Sequence, residues 1–416
     1  MKLAPCSFGT SFSSGAAIRA DAGPDPFGWV PTAGSLGPSG RGSLRAMAEP
    51  LKDSFGPSVP RRIARMISAV HPTFLAEAFV RDALEGYEAL ELTPRARQIS
   101  RALHAHLPSD YEEAIRILLA SLGRPIEDTE LTGMDVFVYL PHVFFVADYG
   151  LEHFDTSMRA QYELTKRFTA EFSIRAFLER EPERSLAVLR TWARDPSPHV
   201  RRLVSEGTRP RLPWAPRLRR FQEDPRPVLE LLELLKDDPE LLVRRSVANN
   251  LNDIGKDNPD LLVQTCRRWA KDASEERSWV IRHALRSAVK RGDQGALRIL
   301  GFGDGDGAEV RRLRAEPTRV TIGDAVRITF DLANTGDSPR SFNADLRVHF
   351  VRANGGSGPK VFKVRVVELE PGTSAALTKS ISLRQHSTRR HYPGRHRVEV
   401  VVNGRSLAQA TFLVDG

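Results

Sequence analysis

The 416-residue sequence contains two cysteines, Cys6 and Cys266, too few and too far apart for a disulfide framework or a four-cysteine zinc site. Cysteine scarcity fits a reducing compartment, so the cytoplasm is the expected location. Long hydrophobic runs are missing too. The best stretch, Val136 to Ala147, falls short of the roughly 20 apolar residues a membrane helix needs and is broken by Pro141 and His142. No membrane span is expected. There is no His-Glu-x-x-His, no Gly-x-Ser-x-Gly elbow, no Rossmann fingerprint and no Cys–His pair in a credible setting, so any catalysis must rest on carboxylates.

What is present is ordinary globular material, 41% hydrophobic and 27% charged, which excludes wholesale disorder, collagen and coiled coil. Sixty-one Lys and Arg against 52 Asp and Glu give a formal net charge of +9. That surplus points toward a polyanionic partner without naming one, because arginine forks suit phosphates and carboxylates alike.

Residues 1–46 are rich in Gly, Ser, Ala and Pro, lack any helical or strand period, and read as a disordered extension. They hold no continuous apolar segment of the secretory type, and Met47 is a candidate initiator. From residue 47 to 303 the pattern is helical, punctuated by Asp-Pro, Glu-Pro and Ser-Pro pairs. Segments beginning at Asp195-Pro196, Asp238-Pro239 and Glu275 recur about every forty residues, the signature of HEAT or armadillo repeats. Asp as N-cap and Pro as first helical residue are expected in the first two.

Within these segments Val200/Val204, Val243/Val247/Leu251 and Val280/Ala284/Ala288 are apolar at helical spacing and should form the buried ridges. Two positions on, about 200° round the helix, lie Arg202/Glu206, Arg245/Asn249/Asp253 and Arg282/Arg286/Lys290. In a solenoid these rows align into one polar surface facing away from the core, basic but seeded with carboxylates.

Gly301 to Gly307 resembles a phosphate or calcium loop only superficially. No strand precedes it, no Lys-Ser/Thr follows it, and Ala308 and Ala315 fall where calcium ligands belong, so residues 304–308 read as a linker. Residues 309–416 switch to a period of two, with turn signals at Asn334-Thr-Gly and Asn354-Gly-Gly. About seven short strands suggest an immunoglobulin-like β-sandwich without an inter-sheet disulfide. The fold class is therefore mainly α, a HEAT-like solenoid followed by a small sandwich. His386, His391 and His396, set among arginines, read as a basic loop rather than a metal site.

Three carboxylates could converge in the helical part: Glu171, Glu206 and Asp253. Glu206 lies one turn from Arg202 and Glu171 one turn from Arg175, so spacing alone favours plain salt bridges. Asp253 has Asn249 and Asp257 as its i±4 neighbours and only Lys256 as a local cation. Trp214, with Pro210, Pro213 and Pro216 around it, is either a core anchor or part of a held loop.

The stretches Glu171 to Phe177, Arg201 to Trp214, Arg244 to Ile254 and Trp279 to Arg286, with the opening Met47-Ala-Glu-Pro-Leu-Lys, resemble the bacterial DNA alkylation-repair glycosylases built from HEAT-like repeats, specifically the AlkC branch. The resemblance spans Met47 to about Gly303. One subgroup of that branch is similar in carrying a C-terminal immunoglobulin-like domain.

That resemblance implies hydrolysis of the N-glycosidic bond of cationic N-alkylated bases, such as N3-methyladenine and N3-methylcytosine, in double-stranded DNA, without a metal or organic cofactor. It implies an acidic site of Glu171, Glu206 and Asp253 with Trp214 beside the lesion, and an approach short of full base flipping. A base already carrying positive charge leaves without a general acid. The demand falls on the oxocarbenium-like sugar, which a carboxylate stabilises while directing water, the role assigned to Asp253. Arg175, Arg202, Arg209, Arg211, Arg245, Arg282 and Arg286 would hold the phosphate backbone. The sandwich, basic at Lys360, Lys363, Arg389, Arg390, Arg395 and Arg397, is a second DNA-gripping surface or a passive module. A monomer is expected. Without the resemblance, a non-catalytic HEAT-repeat DNA-binding or protein scaffold is the alternative.

Overall fold

The computed structural model describes residues 51–126, 135–385 and 389–416. The expected disordered stretch, the Met47 start and His386 lie outside the described residues. Fifteen α-helices are described. The first six are α1 (Ser58–Ser68), α2 (Ala76–Leu84), α3 (Leu92–His106), α4 (Tyr111–Ala120), α5 (Leu140–Tyr149) and α6 (Phe154–Thr165). Then come α7 (Ile174–Arg180), α8 (Pro182–Trp192), α9 (Pro198–Gly207), α10 (Arg219–Glu223), α11 (Arg226–Leu235), α12 (Leu241–Asp257), α13 (Pro259–Trp269), α14 (Glu275–Arg291) and α15 (Gln294–Ile299). No described helix is long and apolar enough to cross a membrane.

The repeats are helix pairs, α8 with α9, α11 with α12 and α13 with α14, and the second helices α9, α12 and α14 pack side by side. Their ridges are the expected ones: Val200, Val204, Val243, Val247, Leu251, Val280, Ala284 and Ala288 are all buried. Proline opens α8, α9 and α13, where its missing N–H costs nothing. The aspartates of the repeats lie two residues before the N-caps, so neither Pro196 nor Pro239 is the first helical residue. Asp195 and Asp238 accept from the backbone N–H of Ser197 and Glu240, at 2.8 and 2.9 Å, so they set the turn, while Ser197 and Glu240 occupy the N-cap positions. Arg201 then forks onto Asp238 at 2.6 and 3.0 Å, tying the start of one repeat to the next.

Residues 308–415 form eight strands rather than seven: β1 (Ala308–Glu316), β2 (Arg319–Thr321), β3 (Ala325–Asn334), β4 (Arg340–Val351), β5 (Ser357–Leu369), β6 (Ser374–Ser382), β7 (Gly394–Val402) and β8 (Arg405–Asp415). The short β2 was hidden by its length. One sheet runs β1-β3-β6 and the other β2-β8-β7-β4-β5, closing on Phe330, Phe342, Leu346, Val398 and Phe412. His391, on the segment leading into β7, and His396, on β7 itself, are not exposed basic-loop residues. Both are buried in this core against Phe350, and His396 stacks on Phe412, so burial lowers its pKa.

The sandwich is seated on the last helices by backbone approach. A Cβ on Gly404 would lie 2.8 Å from Cα of Gly292, and both residues take positive φ, so neither site accepts a side chain. Beside them Gln294 Nε2 donates to the Asn403 carbonyl at 3.1 Å.

Candidate active site

The end of α9 meets the polar row of α12 on one side, and Arg202 of α9 reaches the turn preceding α7 on the other. Asn250 Nδ2 donates to the Ser205 carbonyl at 2.7 Å and to Thr208 Oγ1 at 3.1 Å, holding the last turn of α9 in place. Ser246, one turn earlier on α12, donates its hydroxyl to Glu206 Oε2 at 2.6 Å. These contacts fix Glu206 against α12 and bring the three expected carboxylates into one cluster.

Arginines alternate with the acids. Arg202 donates to Glu171 Oε2 at 3.1 Å and lies 3.8 Å from Glu206 Oε1. Arg209 donates to Glu206 Oε1 at 2.6 Å and through Nε to Asp253 Oδ2 at 2.8 Å. Lys256 Nζ completes the series on Asp253 Oδ1 at 2.7 Å. The row is therefore not turned out to solvent as its helical angle suggests: Glu206 and Asp253 are 6% and 1% exposed, sealed by their own counter-ions. Sequential spacing misassigned one pair. Glu171 is bound by Arg202 from the next repeat and by the Thr169 hydroxyl at 3.0 Å, not by Arg175.

The two glutamates titrate apart. Burial and the neighbouring charge of Glu206 raise the Glu171 pKa above its ordinary 4.5 against the pull of Arg202. Burial pushes Glu206 the same way, but Arg202, Arg209 and the Ser246 hydroxyl reverse it, and its pKa ends below 4.5.

Trp214 stands on the loop after α9 at 69% exposure, with φ of 63°, a conformation a bulky residue keeps only when its surroundings hold it. It is part of a held loop, not a core anchor. Arg175 supplies much of the hold. Buried at 4% exposure, it donates from Nη1 to the carbonyls of Gly207 and Arg209, at 3.1 and 2.7 Å, and from Nη2 to that of Pro216. Burial lowers its pKa to about 10. Arg211 clamps the loop from the other side with two donors to Asp257, one of them at 2.7 Å, and Gln222 joins it there. Of the seven expected phosphate-binding arginines, Arg175, Arg202, Arg209 and Arg211 are thus engaged inside the fold.

The remaining three line the adjoining helices. Arg245 is exposed, Arg282 is half-buried, and neither forms an ion pair among the described residues. Arg286 is partly buried and donates to Asn249 Oδ1 at 2.9 Å, an oxygen shared with His283 Nε2 at 3.1 Å. His283 stacks on Trp279 with centroids 5.0 Å apart. Ser246, Asn249, Asn250, Thr169 and His283 escape a reading based on charge. For Ser246, Asn249 and Asn250 the signal was the number of polar residues from Ser246 to Asp253, more than the exposed arc of one amphipathic helix accommodates; Thr169 and His283 gave none.

The sandwich carries a different cluster. Glu399 on β7 receives His349 at 2.7 Å, Arg347 at 3.2 Å and Arg397 at 3.2 Å, three nitrogen donors around one buried carboxylate. Lys360 and Arg389 lie over the Phe362 ring at 5.6 and 5.9 Å, and Arg390 and Arg395 are exposed. Among the described residues no group of three or more His, Cys, Asp or Glu side chains is placed to hold a metal ion.

Comparison with known proteins places both parts. Residues 92–288 match the family described as DNA alkylation repair enzyme, and residues 309–416 match the C-terminal Ig-like domain of uncharacterised protein YhaZ. YhaZ of Bacillus subtilis strain 168 is 33% identical over 367 residues, 88% of this chain and 99% of that protein. The alkylpurine DNA glycosylase AlkC of Pseudomonas fluorescens, solved bound to DNA containing an abasic site analogue, superposes with a TM-score of 0.82 at 36% identity, covering 88% of this chain and 100% of that one.

Proposed function

The chain belongs to the DNA alkylation repair enzyme family, in the AlkC branch with an appended immunoglobulin-like domain, and on that premise we propose that it is a DNA glycosylase releasing cationic N-alkylated bases, N3-methyladenine or N3-methylcytosine, from double-stranded DNA. The observation that carries this reading is the convergence of Glu171, Glu206 and Asp253 from three successive structural units, with the exposed Trp214 on the loop that continues from Arg209.

In the proposed reaction the C1′–N bond breaks with its electron pair going to the base, which leaves neutral because it began as a cation. Water oxygen bonds to C1′, and its proton passes to Asp253 and on to solvent, leaving free base and an abasic site. Asp253 faces the positive charge that develops on the sugar, in a setting already drained of water, where a carboxylate acts most strongly. Glu206 holds Arg209, which orients Asp253, and Glu171 holds Arg202. Trp214 offers its face to the cationic base, an attraction of about 0.5–2 kcal/mol. The leaving group is activated by its own charge, so this chemistry asks for no metal or organic cofactor. Arg245, Arg282 and Arg286 take the phosphates, and the basic sandwich residues Lys360, Arg389, Arg390, Arg395 and Arg397 form a second DNA surface, without Lys363, whose ammonium nitrogen is buried near Asp345. The enzyme acts in the cytoplasm, on the nucleoid, as a monomer.

The test is identification of the released base from duplexes carrying a single N3-methylcytosine, N3-methyladenine or, as a neutral control, uracil. Release of the methylated bases alone is expected. A folded protein that binds all three duplexes and releases nothing would leave a DNA-binding solenoid as the better account.

A further inference from the structure

The two oxygens of Asp253 have partners of different kinds. Oδ2 takes Nε and Nη2 of Arg209, each at 2.8 Å, and that guanidinium is fixed: its side chain is 10% exposed, its Nη1 is bound to Glu206, and its backbone carbonyl is held by Arg175. Oδ1 takes Lys256, one turn further along α12, whose side chain is 39% exposed on a flexible four-carbon stem. Among the described residues no other acid binds that ammonium. Counted by direct ion pairs the cluster is balanced as it stands, three carboxylates against Arg202, Arg209 and Lys256, with Arg175 and Arg286 adding positive charge farther from Asp253. Remove the lysine and one negative charge is uncovered on the oxygen not committed to Arg209.

We infer that Lys256 is the exchangeable counter-ion of Asp253: a cationic lesion nucleotide takes its place at Oδ1, which faces the sugar onto which the positive charge moves as the bond breaks, and the released ammonium moves to a backbone phosphate. The inference rests on the glycosylase reading above and adds a selectivity device to it. Exchange of cation for cation keeps the buried cluster neutral, whereas a neutral base would leave either an uncompensated buried carboxylate or the lysine still in place. Lys256 reaches the buried carboxylate from a side chain that is 39% exposed, so its ammonium can pass to solvent or phosphate when a cation replaces it, and the buried charge of Asp253 holds it in place when none does.

The experiment is single-turnover release of N3-methylcytosine from duplex DNA at saturating protein, with the salt dependence of binding, for the wild type, Lys256→Met and Lys256→Arg. Lys256→Met opens Oδ1 in advance, so release should rise about two- to fivefold, while binding weakens and its salt slope falls by about one. Lys256→Arg keeps the charge but grips the carboxylate with two donors, so release should slow at an unchanged salt slope, a readout that stands even if Lys256→Met does not fold. Wild-type release with both variants indistinguishable from it would overturn the exchange alone. A folded Lys256→Met without release would make the lysine a fixed support and overturn it as well. No release by the wild type would sink the glycosylase reading, and the exchange with it.

Discussion

Two buried charge clusters sit in this chain, and they are built to opposite ends. In the solenoid, three carboxylates are matched by three cations, and two of the acids are almost wholly buried. In the sandwich, one carboxylate, Glu399, is surrounded by Arg347, Arg397 and His349, and Arg397 remains 48% exposed. The first arrangement hides negative charge at close balance, which suits a site that must accept a positive one. The second leaves cation in excess at the surface, which suits contact with phosphate. The same residue types thus serve two tasks according to which sign is outnumbered and how much water remains.

The difference should appear most strongly in stability. Arg209→Leu leaves Glu206 and Asp253 buried without their shared partner, a loss of roughly 3–5 kcal/mol, whereas Arg397→Ser on the half-exposed sandwich cluster should cost about 1 kcal/mol or less. Denaturant unfolding of both variants checks this, and equal costs would break the contrast. Next in size is Arg175→Met, which frees the loop carrying Trp214 and the Arg209 carbonyl. Base release should fall roughly 10²-fold, with Trp214 fluorescence anisotropy lowered and Arg175→Lys restoring part of both. An unchanged rate with a mobile Trp214 would separate the loop from catalysis.

Trp214→Ala should slow release about 2- to 30-fold, the range of a cation–π contact, and leave the melting temperature alone because the ring is 69% exposed. The smallest effect belongs to Glu171→Gln: it should lower release at neutral pH by the same modest factor that protonating Glu171 costs the wild type, and its signature is the loss of that step from the acid limb of the rate profile. Glu171 has the raised pKa, so as pH falls it protonates first, above 4.5, and release declines from there. With glutamine in its place the limb should move below 4.5, where Glu206, whose pKa is depressed, takes its proton. A profile unmoved by the substitution would detach Glu171 from the reaction.

The ridges of α9, α12 and α14 were legible because burial follows the 3.6-residue period closely. The acids of the site were legible as a row for the same reason, and as chemistry through the family resemblance. Their partners were legible only within one helix, as Lys256 on Asp253 and Arg202 near Glu206. Helical spacing pairs Glu171 with Arg175, but the fold gives Glu171 to Arg202 and turns Arg175 onto three carbonyls, a choice made by contacts between repeats. The sandwich histidine was readable and obscured. His396 alternates in period two with the buried Val398, Val400 and Val402, which places it inward, yet the arginines on either side suggested a basic loop.

The central claim is that Asp253 performs the chemistry while the arginines around the site bind. It is tested most directly by single-turnover release of N3-methylcytosine by the wild type and Asp253→Asn, each at protein concentrations that saturate the duplex. The account predicts a fall of at least about 10²–10³-fold in the release rate of the asparagine variant, with DNA affinity and its salt dependence retained. Equal release rates at matched saturation would contradict it and make the buried acids structural.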